Sequence, residues 1–186
     1  MDHYLQTQGI VIKKQPCQEA DLLITLLTPK LGKITILAKG ALNIKSSRLS
    51  SLQLGNTIKA HIYQKNGKYW LSESQTLSGL LLSPKTLTQY NLIFYSLELV
   101  NQLIAENQHL EHIYQLAQSM IDSINHNRLI ALIRSEINLL RQLGFGLPQA
   151  IVNTFQSGNF VACQHLLKQH IESILEKPLE SNKLFR

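Results

Sequence analysis

Up to about residue 78 apolar side chains recur at every second position in short runs, and from residue 84 onward they recur at every third or fourth. A chain that changes period once, near its middle, is constrained to a sheet-forming half followed by a helical half. Ser83-Pro84 marks the change, as a good N-cap followed by proline at the first helical position. The expected class is therefore α+β, with one domain over residues 1–80 and a second over 81–186.

Strands are expected near 5–13, 22–28, 33–39, 51–64 and 68–77, where β-branched residues alternate between turn formers. Five short strands in so few residues suggest a small closed barrel. Thr28 to Gly32 and Asn66-Gly67 are the turns, and Asn-Gly is the strongest two-residue hairpin signal. A type I′ turn there pairs Lys65 with Lys68, Tyr63 with Trp70, His61 with Ser72 and Lys59 with Ser74 on one face. Ile58, Ala60, Ile62, Tyr69 and Leu71 take the other face. In the third strand Ile34, Ile36 and Ala38 share one side, and Lys33, Thr35, Leu37 and Lys39 the other.

Helices are expected near 84–105, 109–124, 127–143 and 159–176. Leu129, Ile130, Ile133, Ile137, Leu140 and Leu143 form one apolar stripe of the third. Gly144 to Pro148 stops it, and Ser157-Gly158-Asn159 separates the last helix from a short intervening segment.

Of the formal net charge of +6, the whole excess lies in the first half: residues 1–85 carry 11 Lys and Arg against 4 Asp and Glu. A basic barrel suits a polyanion. Binding single strands requires cations to follow phosphates and aromatic faces on which bases stack. Lys33, Lys39, Lys45, Arg48, Lys59, Lys65, Lys68, Tyr63 and Trp70 are the candidates. The loop from Asn43 to Arg48 adds hydroxyls suited to phosphate oxygens. By period alone, Trp70 either stacks bases or packs inward.

Catalysis and metal binding are poorly served. Walker, nucleophile-elbow and HExxH motifs are absent. Glu19 with Asp21 suits a turn or an ion pair. His109 with His112, and Cys163 with His165, are too scattered to make a zinc site. Neither a metal nor another cofactor is expected. The two cysteines form no CxxC, and neither a signal peptide nor an apolar run of membrane-spanning length is present. A cytoplasmic, nucleoid-associated protein is the expectation.

In order and spacing, a set of segments resembles the RecO family of bacterial recombination mediators. They are Gly9 to Ile12, Glu19 to Asp21, Leu26 to Thr28, Gly32-Lys33, Ala38 to Ala41 with Lys45-Ser46, Arg134 to Glu136, Leu139 to Gly146, and Lys177 to Leu179 with Ser181 and Leu184 to Arg186. The resemblance implies an N-terminal five-stranded OB-fold barrel, a helical bundle domain and no catalytic turnover. It further implies binding of single- and double-stranded DNA and annealing. Partnership with RecR, and help to RecA in loading on DNA coated with single-strand-binding protein, also follow from it. The acidic C-terminal tail of that binding protein would meet Arg134, whose planar fork can grip a carboxylate. Two departures stand out. Leu54-Gly55 replaces a usual Pro-Phe, which leaves local barrel packing open, and the cysteine-rich, often zinc-binding module that many members insert after Gly146 to Pro148 is missing. The rival expectation is an OB-fold protein-interaction adaptor without intrinsic DNA binding.

Overall fold

The computed structural model describes residues 3–43, 46, 48–79, 85–106 and 111–181. Five strands come first: β1 (His3–Cys17), β2 (Asp21–Thr28), β3 (Gly32–Ala38), β4 (Thr57–Lys65) and β5 (Lys68–Ser78). Helices α1 (Leu87–Leu103), α2 (Glu111–Asn125), α3 (Leu129–Gln142), α4 (Gln149–Gln156) and α5 (Phe160–Leu175) follow. The chain falls into two compact units, Met1–Lys85 with Ile104–Tyr114, and Thr86–Leu103 with Gln115–Arg186.

The strands close into a barrel in the order β1-β2-β3-β5-β4, with β3 and β5 parallel and every other pair antiparallel. This is an OB-fold barrel. Strand β1 serves two neighbours, meeting β4 from His3 to Ile10 and β2 from Ile10 to Cys17. A bulge between Val11 and Lys13 bends it from one partner to the other. Gly9 lies at that change of partner: a Cβ there would sit 2.9 Å from the Leu27 carbonyl oxygen and 3.0 Å from Thr28 Cγ2. Alternation delivers Val11, Ile24, Ile34, Ile36, Ile58 and Ile62 to one continuous core.

The fourth strand begins at Thr57, not residue 51 as alternation suggested. Residues 51–55 are turns instead, because Arg48 O accepts from the Ser51 and Leu52 amides and Asn56 Nδ2 donates to Ser50 O and Ser51 O. Leu52 is driven fully into the core from this turn. The Leu54-Gly55 departure is accommodated: Gly55 takes φ +77° and its amide donates to Val11 O at 2.8 Å.

The hairpin keeps its expected register from Lys65↔Lys68 through Tyr63↔Trp70 to Ile62↔Leu71, and Asn66 and Gly67 both have positive φ, as a type I′ turn requires. Beyond that the register shifts. Ser72 is an extra residue, so His61 faces Glu73 and Lys59 faces Gln75 instead of Ser72 and Ser74. The bulge adds the local twist that a small barrel needs, and Ser74 Oγ meets Ser51 Oγ at 2.6 Å.

In the second unit α1 opens at Thr86, where a reciprocal capping box forms. Thr86 Oγ1 accepts from the Gln89 amide at 3.2 Å, and Gln89 Oε1 accepts from the Thr86 amide at 2.9 Å. Ser83 and Pro84, the expected start, lie outside the described residues. The intervening segment is itself a helix, α4, whose eight residues bury only Ile151. The stripe of α3 is also rotated: Leu132, Ser135, Glu136 and Leu139 join Ile133, Ile137 and Leu140 in burial, whereas Leu129 and Ile130 are exposed.

Candidate nucleic-acid interface

The cross-strand pairings align one residue from each strand across the outside of the barrel. Tyr4 faces Tyr63, Tyr63 faces Trp70, Trp70 faces Leu37 and Leu37 faces Leu23. Ring centroids are 5.1 Å apart for Tyr4 and Tyr63 and 6.0 Å for Tyr63 and Trp70, both tilted at 46°. Trp70 is half-buried within this row, so its face is neither wholly core nor wholly free. Tyr4 is 79% exposed and was missed by the sequence reading, which started the first strand too late to include it. Its alternation with Gln6 and Gln8 was the available signal.

Cations flank the row. Lys65 and Lys68 are exposed at the hairpin tip, Lys59 is half-buried four residues before Tyr63, and Lys39 is exposed just past β3. Beside the row lies a pocket of about 480 Å³ between the β1–β2 turn, at Cys17 and Gln18, and the β4–β5 turn, at Gly67. Its walls include Leu23, Leu37, Tyr69 and Trp70. OB-folds commonly bind oligonucleotides on this face, between these two turns. One carboxylate stands in it: Glu106 lines the pocket, accepts a hydrogen bond from Thr35 Oγ1 at 2.8 Å, and bridges to Lys33 through the backbone.

Two sequence candidates stand elsewhere. Lys33 is 9% exposed, and burial lowers its amine below the ordinary lysine value, with nearby Glu106 opposing that shift. The alternation on β3 fails for it where Glu106, from a later segment of the same unit, bridges to Lys33 through the backbone. Arg48 is a brace: Nη2 donates to Lys39 O at 2.9 Å and Nη1 to Leu71 O at 3.5 Å. It holds the loop that follows Lys39 against β5. Lys45 lies outside the described residues, as does His109. Asp21 has a turn role, its Oδ1 accepting from the Gly40 amide at 2.7 Å.

In the helical unit Arg134 is exposed on α3. A small apolar pocket of about 120 Å³, walled by Leu92, Ile124, Leu129 and Leu132, has a different arginine on its edge, Arg128, whose Nη1 lies 3.7 Å from Asp122 Oδ2. Among the described residues no cluster of three metal-ligating side chains occurs, and no helix is long and apolar enough to cross a membrane.

Comparison with known proteins agrees with both halves. The family model described as Recombination protein O N terminal matches residues 1–80, and that described as Recombination protein O C terminal matches residues 84–150. Similar curated proteins include the DNA repair protein RecO of Clostridium perfringens, 30% identical over 149 residues covering 77% of this chain and 59% of that protein. The RecO proteins of Acetivibrio thermocellus, 29% identical over 77% of this chain and 58% of theirs, and of a Thermoanaerobacter species, 26% identical over 78% and 59%, are also similar. The chain thus spans somewhat under two thirds of the length of the relatives it matches.

Proposed function

The chain belongs to the RecO family, and from that premise we propose that it acts in DNA repair as a recombination mediator whose barrel binds single- and double-stranded DNA. The observation that carries this is the row Tyr4, Tyr63 and Trp70 beside Lys39, Lys59, Lys65 and Lys68. Stacking of a base on an aromatic face contributes roughly 1 to 3 kcal/mol and accepts any base. Lysines that neutralise phosphates release counterions, which gives an affinity that falls with salt.

The same charge neutralisation accounts for annealing. Two phosphate chains repel each other until cations intervene, and a lysine-bearing surface removes that barrier without ATP. Exchange on coated DNA requires a second contact, which we assign to the helical unit. Exposed Arg134 meets the carboxylates of the acidic tail of single-strand-binding protein, while RecR joins the complex and RecA loads as its consequence. Arg128, at the edge of an apolar pocket, offers a second cation for an acidic, aromatic-ended tail.

The test is fluorescence anisotropy of a labelled single-stranded oligonucleotide with wild type, Tyr63→Ala and Trp70→Ala. Each variant is expected to retain its barrel by far-UV circular dichroism and to bind about 5- to 150-fold more weakly. Equal affinity in all three proteins would remove DNA from this face and favour the adaptor.

A further inference from the structure

The helical unit holds a carboxyl group that DNA and tail binding leave unused. Glu136 lies on the buried stripe of α3, 3% exposed, and burial is the one influence that shifts its carboxyl. It lines a pocket of about 480 Å³ between α1, α3 and α5, together with Leu92, Tyr95, Leu129, Gln164 and Lys168. A polar group withdrawn from water without a partner is costly, and a charged one more so. The pocket therefore joins an apolar wall to a buried carboxyl group.

The ionisable groups divide between two sides of the pocket. Burial alone pushes the Glu136 carboxyl up to about 8, with no neighbouring cation holding it down. Tyr95, opposite on α1, is raised well above the usual phenol value by burial first and then by Glu136, Glu172 and Glu98. The Cys163 thiol on α5 is raised by burial and, to a smaller extent, by Glu136. Lys168 and His165, both on α5, line the pocket without figuring among the influences on Glu136. The acids Glu136, Glu172 and Glu98 act on the Tyr95 side of the pocket, and Lys168 and His165 stand on its α5 side.

We propose that this pocket binds an alkyl chain ending in a guanidinium or primary ammonium, with Leu92 and Leu129 against the methylenes and Glu136 paired to the cationic head. A planar guanidinium suits it best, since it can give a carboxylate two parallel hydrogen bonds. The proton balance is explicit. Near pH 7 the empty site holds the Glu136 proton, the paired carboxylate does not, and binding releases that proton to solvent. Affinity accordingly rises about tenfold per pH unit up to the value at which the empty site ionises, and then levels off.

Isothermal titration of the full chain tests this, with agmatine as a free cation and N-acetyl-arginine-N-methylamide as the side chain of a partner protein. Buffers of different ionisation heat count the protons, and pentanoate is the anionic control. The expected result is binding of at least one cation, release of close to one proton, no binding of pentanoate, and a loss of more than about a hundredfold in Glu136→Gln. Tighter binding of agmatine identifies a free small molecule, and tighter binding of the capped arginine a partner's side chain. Failure of both cations, binding without proton release, unchanged affinity in Glu136→Gln or preference for pentanoate would each overturn the assignment.

Discussion

Replacing Glu136 with glutamine converts the buried carboxyl into a neutral group of nearly the same shape, and the effect on stability depends on pH. In the folded protein the carboxyl stands at about 8, against an ordinary value of 4.5. The folded state therefore holds a proton that the unfolded state has lost throughout that interval. Stability from this group is complete below the unfolded value and is lost as pH rises through the folded one. The slope is at most about 1.4 kcal/mol per pH unit, amounting to roughly 3 kcal/mol between pH 5 and pH 7.5. The amide introduced by the substitution does not titrate, so subtracting the two proteins cancels the histidines and every other shared group. Urea unfolding followed by helical circular dichroism at several pH values gives the comparison. The variant is expected to gain on the wild type by about 3 kcal/mol across that range. A difference that stays constant with pH would show that Glu136 is solvated or paired, and would refute the reasoning.

Glu106→Gln removes the carboxylate that Thr35 holds in the barrel pocket, and oligonucleotide affinity is expected to rise roughly two- to fivefold, the effect of removing one exposed like charge near a phosphate; anisotropy titration reads it. Gly9→Ala places a Cβ 2.9 Å from the Leu27 carbonyl oxygen, and thermal unfolding is expected to show a loss of about 1 to 3 kcal/mol, as overpacking usually gives.

The parts of the fold that were legible were those with a local cause. Asn66-Gly67 and the alternation of Ile58, Ala60 and Ile62 located the hairpin and its inner face before any contact was known. Ser72 was not legible as a bulge, because barrel closure requires the extra twist and no residue nearby announces it. Lys33 alternates like an outward residue, and it is buried in a unit to which residues 104–114 also belong. The same limit hid the pocket of α3. Glu136 sits three residues after Ile133 and four before Leu140, a position that the helical period places on the buried stripe. A charged residue at that spacing was the signal, and a stripe traced through apolar residues alone passes over it. Arg48 illustrates the converse: a basic loop residue reads as a phosphate ligand until its donors are found on Lys39 O and Leu71 O.

The measurement closest to the central claim is the salt dependence of single-strand binding, wild type against Lys65→Glu/Lys68→Glu. If Lys39, Lys59, Lys65 and Lys68 each neutralise one phosphate, the logarithm of affinity falls against the logarithm of salt with a slope of about −3. The variant is expected to bind more weakly and to flatten that slope to about −1.4. A slope near zero in the wild type, or an unchanged slope in the variant, would contradict a DNA-binding barrel face.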